Sequence, residues 1–293
     1  MKKVSLIHRN NQRHWVGDGF PVRTMFSYAD PASELSPFLL LDYAGPYQFP
    51  PSAKRRGVGE HPHRGFETVT IVYDGEVEHR DSTGAGGVIG PGDVQWMTAA
   101  AGIVHEEFHS REFSARGGAF ECIQLWVNLA AKDKGVAPGY QGITATQIPQ
   151  VEIAEAAGSV RVIAGSYRGA EGPARTHSPM QVWDVRLKKG ARVSFNLNDG
   201  DSAALFVMNG ELKFAGGETA GEATLAVFER AGSELVFDVV EETKLLLLSG
   251  QPFDEPIVGY GPFVMNSEVE IRSAIEDYRG GKMGHIAVSA LAD

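Results

Sequence analysis

His61-Pro62-His63-Arg64-Gly65-Phe66-Glu67-Thr68-Val69-Thr70 is answered about forty residues later by Val104-His105-Glu106-Glu107-Phe108. Side chains of an extended strand alternate between its two faces, so residues two apart point the same way. His61 and His63 therefore share a face, and so do His105 and Glu107. Pairing the two segments inside a barrel brings three imidazoles and one carboxylate to a point. Nitrogen donors with a single carboxylate suit a first-row divalent metal better than calcium or magnesium. Glu106 alternates to the opposite face. Glu67 is a rival carboxylate, since it lies an even number of residues from His63. His79 and His109 read as exposed side chains or as neighbours of the ligands.

Outward from these stretches the chain reads as short strands separated by turns. Ser36 to Tyr43 is a buried strand that Gly45-Pro46 ends. Phe66 to Val72 is rich in threonine, valine and isoleucine, which fit a pleated surface. Asp74-Gly75 then signals a hairpin whose return strand is Val77 to Asp81. Val94 to Met97 and Cys122 to Leu129 are further strands. Thirty-five glycines and fifteen prolines, spread between apolar runs, point to many tight turns and not to disorder. The fold class expected is all-β, with strands arranged as a jelly-roll barrel.

A length of 293 residues accommodates two domains. Around Lys132 to Tyr140 the composition turns polar, with Gly135, Pro138 and Gly139, and the boundary is placed there. Residues 1–134 form the N-terminal barrel with the metal site. Residues 135–293 form a second barrel without it, followed by a helix. Val72 to Val77 is echoed 135 residues on by Val207 to Leu212, as duplication of one barrel predicts. Carried without gaps, that offset places Asn196 and Asn198 opposite His61 and His63, and Val240 opposite His105. Two asparagines cannot replace two imidazoles for a transition metal. The terminal helix starts at the capping box Ser267 to Glu270 and shows the stripe Ile271, Ala274, Ile275 and Tyr278 before Gly280-Gly281 stops it.

Composition narrows the function. A net charge of -10 argues against direct nucleic-acid binding, which depends on lysine and arginine neutralising phosphates. The single cysteine, Cys122, lies in an apolar run and reads as a small core residue, which fits a reducing compartment. Met1 to Arg9 carries charges without an apolar signal-peptide core, and no apolar run is long enough to span a membrane. A soluble, cytoplasmic protein is expected. The four-ligand site leaves positions open on a six-coordinate ion for water, dioxygen or a bidentate substrate. The net positive complex favours an anionic oxygen such as an enolate or phenolate. Phe66, Trp96, Met97 and Trp126 are candidate walls for a planar aromatic substrate.

These residues resemble the pirin family of the cupin superfamily. His61 to Val69 resembles its signature, Pro91 to Ala99 its next block, and Gln124 to Leu129 the one after. Gly261 to Asn266 resembles the segment ahead of its final helix. The match runs through nearly the whole chain, in order. It departs from the general cupin pattern by one extra residue between Glu67 and Gly75, and by lacking a glycine six residues before His61. The resemblance implies two tandem cupin barrels and one metal in the first, bound by the residues matching His61, His63, His105 and Glu107. Of the carboxylates it favours Glu107, which would also serve as general base. It puts iron ahead of nickel, copper, manganese or zinc. Two functions follow from it. One is a quercetin 2,3-dioxygenase, opening a flavonol ring with dioxygen and releasing carbon monoxide. The other is a non-enzymatic regulator whose metal state controls binding to a transcription factor or metabolic enzyme.

Overall fold

The computed structural model describes residues 1–30 and 35–287. Its strands begin with β1 (Val4–Arg9), β2 (His14–Val16), β3 (Phe20–Ser27), β4 (Phe38–Phe49), β5 (Gly57–His63) and β6 (Phe66–Asp74). They continue with β7 (Val77–Asp81), β8 (Gly86–Ile89), β9 (Val94–Thr98), β10 (Ile103–His109), β11 (Gly118–Asn128) and β12 (Gly139–Ile143). The short helix α1 (Arg111–Arg116) lies between β10 and β11. Later come β13 (Gln150–Glu152), β14 (Gly158–Ala164), β15 (Ser166–Tyr167), β16 (Ala170–Glu171), β17 (Met180–Leu187) and β18 (Arg192–Asn196). The last are β19 (Ser202–Phe214), β20 (Thr219–Ala220), β21 (Thr224–Phe228), β22 (Glu234–Gly250), β23 (Val258–Tyr260), β24 (Phe263–Met265) and the helix α2 (Glu268–Arg279). The protein is a bicupin: all-β, with a helix near its C-terminus. No helix among the described residues is long and apolar enough to cross a membrane.

The chain divides into two compact units that interleave in sequence. The unit carrying His61, His63 and His105 comprises Gln12–Ala29, Phe38–Ala145 and Asp254–Asp293; the other comprises Met1–Asn11, Asp30–Pro37 and Thr146–Phe253. A single cut after residue 134 does not describe this arrangement. The first residues depart from the N-terminal half because β1 pairs with β21, where it covers a strand edge that would otherwise be open. The stretch after Phe253 returns to it because α2 buries Ile271 and Ala274 in a cluster with Val104, Phe263, Met265 and Met283.

In the histidine-bearing unit, β12-β9-β6-β11-β4-β3-β2 form a seven-stranded sheet and β5-β10-β7-β8 a four-stranded one. Their inner faces meet: Thr70 on β6 hydrogen-bonds Glu107 on β10. One end is plugged by Phe20, Phe49, Phe113 and Phe120. Phe113 is delivered by α1, whose N-cap Ser110 accepts from the Phe113 amide. That helix has no counterpart among the elements expected from sequence. In the other unit one nine-stranded sheet curls around Trp183, Phe195, Leu205, Phe237 and Leu247.

Several turn signals act differently from expectation. Gly45-Pro46 does not end a strand, since β4 runs through it to Phe49 with a register shift against β11. A β-bulge absorbs the residues that a flat ladder could not. Asp74-Gly75 does not make a hairpin: β6 pairs with β9 and β11, whereas β7 pairs with β8 and β10 in the other sheet. Gly75, at φ +83°, turns a corner between the sheets. Its echo at Asn209-Gly210 lies inside the continuous strand β19, where the register against β22 shifts at each step. Nor does the offset of 135 hold without gaps. It would pair Asn196 with Val240, but Asn196 pairs with Glu234.

The capping box of α2 forms with one change of partner. Ser267 Oγ accepts from the Glu270 amide, while Glu270 reaches the amide of Asn266 instead of that of Ser267. The apolar stripe is narrower than its spacing suggests, because Tyr278 is 40% exposed.

Candidate metal centre

β5 and β10 are antiparallel neighbours, with His61 opposite His105 and His63 opposite Ile103. β7 flanks β10 on its other side, with Asp81 opposite His105 and His79 opposite Glu107. Alternation then puts His61, His63, His105, Glu107, His79 and Asp81 on one face of the four-stranded sheet. Between His61 and Val58 an extra residue bulges out of β5, and there His61 Nδ1 donates to the Gly59 carbonyl at 2.8 Å. The three rings of His61, His63 and His105 lie with centroids 4.2 to 4.9 Å apart. One nitrogen from each is within 4.8 Å of the others. Glu107 belongs to a second, overlapping group with His79 and His105. Among the described residues there is no third such group.

The donor set fits a divalent transition metal. His63 Nδ1 and His105 Nε2 are buried without a hydrogen-bond partner, a costly state for a ring nitrogen unless something coordinates it. Burial holds the pKa of both rings well below the ordinary histidine value, and the neighbouring histidines lower it further. Both rings therefore keep a lone pair at neutral pH. Glu107 Oε1 accepts from Thr70 at 3.2 Å and from Gln95 at 3.1 Å, so its carboxylate is fixed in place. Glu106 points the other way, to an ion pair with Arg80.

Glu67 is not with these residues. It is fully buried and accepts from Thr98 Oγ1 at 2.7 Å, on the face of β6 opposite to Thr70. Parity from His63 fails because Arg64 and Gly65 lie outside both strands, with Gly65 at φ +91°. A Cβ there would meet the Val264 carbonyl oxygen at 2.0 Å. Gly65→Ala is expected to destabilise the protein by about 2–3 kcal/mol through backbone strain and this clash, read as a lower urea midpoint at unchanged slope.

His79 and His109, expected at the surface or beside the ligands, are both buried. His109 sits among Phe20, Phe49, Phe113 and Phe120, with Nε2 donating to the Gly19 carbonyl, and burial lowers its pKa to about 4. His79 stands directly behind His105. Its spacing from Asp81, two residues on one strand, was the available signal for this pairing. Asp81 itself is held below the ordinary carboxylate value: burial pushes it up, and hydrogen bonds from His79 and Thr83 outweigh that.

His61, His63 and Glu107 open onto a cavity of about 320 Å³. Of the aromatic walls expected, Trp126 lines it and Phe66 stacks behind Trp126 at 4.3 Å. Trp96 and Met97 are buried but do not border it. The other walls come from Phe20, Val22, Ala44 and Val58, with Asp42 and Gln124 as polar points. Cys122 also faces this space, and burial raises its thiol well above the ordinary value. Same-face alternation along β11, through Cys122, Gln124 and Trp126, could have indicated part of this wall.

Similarity to known proteins runs through most of the chain. Residues 19–127 match the Pirin family and residues 182–284 the Pirin C-terminal cupin domain. A Pseudomonas aeruginosa protein provisionally named a quercetin 2,3-dioxygenase is 57% identical over 282 residues, covering 96% of this chain and 98% of its own. The crystal structure of a quercetin 2,3-dioxygenase from Acinetobacter baumannii superposes with a TM-score of 0.95 at 51% identity, covering 98% of this chain and 100% of that one. The Escherichia coli pirin YhhW, solved in complex with nickel(II), shares the fold at 21% identity and a TM-score of 0.63, over 85% of this chain and 98% of its own. The two family matches and these relatives place the chain in the pirin family of the cupin superfamily.

Proposed function

We propose that this pirin is a metal-dependent dioxygenase of the quercetin 2,3-dioxygenase type, with one divalent metal on His61, His63, His105 and Glu107. Iron is the first choice, ahead of nickel, copper, manganese and zinc. The observation that carries the reading is the apolar cavity onto which His61, His63 and Glu107 open together. An ion held there would supply the Lewis acidity that lowers the pKa of a bound phenolic hydroxyl. Glu107, anchored through Oε1, takes that proton. Trp126 offers a rigid aromatic face to a planar ring system, and Phe20, Val22 and Val58 keep water away. Asp42 is placed to hydrogen-bond a substrate hydroxyl. Burial raises its pKa, partly countered by the Thr24 hydrogen bond. In the overall reaction two carbon–carbon bonds of the flavonol ring break, both oxygens of dioxygen enter the product, and carbon monoxide leaves.

The test is quercetin turnover in air and under anaerobic conditions, with protein reconstituted separately with iron, nickel, copper and manganese. The expected result is loss of flavonol absorbance with one carbon monoxide per flavonol, in air and with metal alone. Absence of turnover by fully loaded protein would overturn the enzymatic reading and leave the metal-dependent regulator. Ala44→Leu separates cavity from metal. Filling the wall is expected to lower kcat/KM for quercetin by about tenfold or more while bound metal stays unchanged.

A further inference from the structure

Behind His105, and outside the four proposed ligands, stands a line of buried polar side chains: Gln95, His79 and Asp81, none more than 2% exposed. His79 Nε2 lies 3.0 Å from Asp81 Oδ2. An imidazole nitrogen facing a carboxylate carries its proton there, so Nε2–H donates and Nδ1 is left with a lone pair. The Gln95 amide donates one proton to that Nδ1 at 3.2 Å and the other to Glu107 Oε1 at 3.1 Å. Reversing this amide would set its oxygen against the Glu107 carboxylate, which fixes its orientation.

His105 Nδ1 is 3.3 Å from the same His79 Nδ1. Two lone pairs at that distance repel. Since His79 already holds its proton on the far nitrogen, His105 must carry its own on Nδ1 and donate it, sharing the single His79 lone pair with the Gln95 amide in a three-centre contact. Nε2 of His105 is then bare, and it is the nitrogen that has no hydrogen-bond partner.

We propose that Asp81 and His79 are positioning residues that lock His105 in its Nδ1–H tautomer and so commit its Nε2 lone pair to the metal. The role rests on the reading of His105 as a ligand. The relay is anchored at its far end. Asp81 Oδ1 accepts from the Thr83 amide at 2.8 Å, the Thr83 hydroxyl at 2.6 Å and the Ala85 amide at 3.3 Å. The carboxylate therefore cannot swing away from His79. Tyr140 stacks on the His79 ring at 5.0 Å with an 18° tilt and closes its outer face. A carboxylate acting through one imidazole on another makes the second a better donor, as partners of ligating histidines generally do.

The test begins on the full-length, metal-free protein with nitrogen-15-labelled histidines. NMR shifts of the two His105 ring nitrogens are read, with the assignment made by loss of the signal in His105→Gln. The expected result is a protonated Nδ1 and an unprotonated Nε2. In Asp81→Asn an amide can donate to His79, which would move the His79 proton to Nδ1 and invert His105. His105 is expected to shift toward its Nε2–H form, and nickel(II) affinity to fall about 10- to 100-fold. A wild-type His105 protonated on Nε2 would overturn the proposal without any variant. So would a folded Asp81→Asn with tautomer and nickel affinity both unchanged. A wild type with the expected tautomer but no nickel or iron binding would instead defeat the ligand reading and leave the relay standing.

Discussion

Replacing His63 with alanine is expected to leave the protein without stoichiometric metal and without turnover. His63 lies at the end of β5, buried against Phe66 and Trp126, with ring centroids 5.2 and 5.3 Å away. Its ring is held by that packing, and no neighbouring side chain replaces its bare nitrogen. Loss of a group that merely supports a ligand already costs about 10- to 100-fold in metal affinity; loss of the ligand should exceed that. Elemental analysis after dialysis against nickel(II) or iron(II) reads the result as metal per chain. Glu67→Gln is the control. Its hydrogen bond to Thr98 lies on the far side of β6 from Thr70 and Glu107, so full metal content is expected. Metal retained in His63→Ala, or lost in Glu67→Gln, would refute the assignment of ligands.

The largest expected effect on stability belongs to Lys134. Its side chain is buried and donates to the Gly65 carbonyl at 2.6 Å, Asn128 Oδ1 at 2.7 Å and the Val264 carbonyl at 2.9 Å. It thus fastens the turn after His63 to the end of β11 and to β24. Lys134→Met removes the donor from three acceptors that cannot all find water. At about 1–3 kcal/mol for each buried acceptor left unsatisfied, partly relieved by relaxation, a loss of about 3–5 kcal/mol is expected near pH 7. A urea midpoint unchanged from wild type would contradict it. The same amine carries a pH signature. Burial lowers its pKa from 10.5 to about 8, against the partly restoring charges of Glu255 and Glu270. Between those values the unfolded chain binds more protons than the folded one. This group's destabilising contribution is therefore full below about pH 8 and relieved as pH rises toward 10.5. Lys134→Met should lack that increment, which urea titrations at several pH values would show.

The placement of the candidate site's side chains is legible in the sequence wherever it lies within one strand. His61 and His63, or His105 and Glu107, need only period-two alternation to be placed on a common face. What failed were inferences across a break in that period. Counting from His63 to Glu67 crosses Gly65, where the backbone turns through positive φ and parity is lost. Asp74-Gly75 correctly marks a reversal, yet a turn residue cannot say whether the chain returns beside its own strand or leaves for another sheet. The cavity walls on β3 and β4 depend on the pairing of β3 with β4 and of β4 with β11, which joins residues far apart in sequence. No local pattern encodes such pairings. His79 is hard to place from sequence for the same reason: its partner Asp81 is two residues away, but His105, which it faces, is on a different strand.

The interleaving of the two units has a consequence for synthesis. Arg64, next to the proposed ligand His63, is ion-paired with Asp277 at 2.7 Å, across 213 residues of chain. Ser82, next to Asp81, donates to the Met283 carbonyl. At about 5–20 residues per second, a ribosome needs about 10–40 s to get from Arg64 to Asp277. Through that interval the imidazoles have been made but not yet fastened. A nascent chain stalled before Asp254 would carry every proposed ligand and none of these clasps. Folding of the histidine-bearing unit can finish only after Asp277 and Met283 have been made.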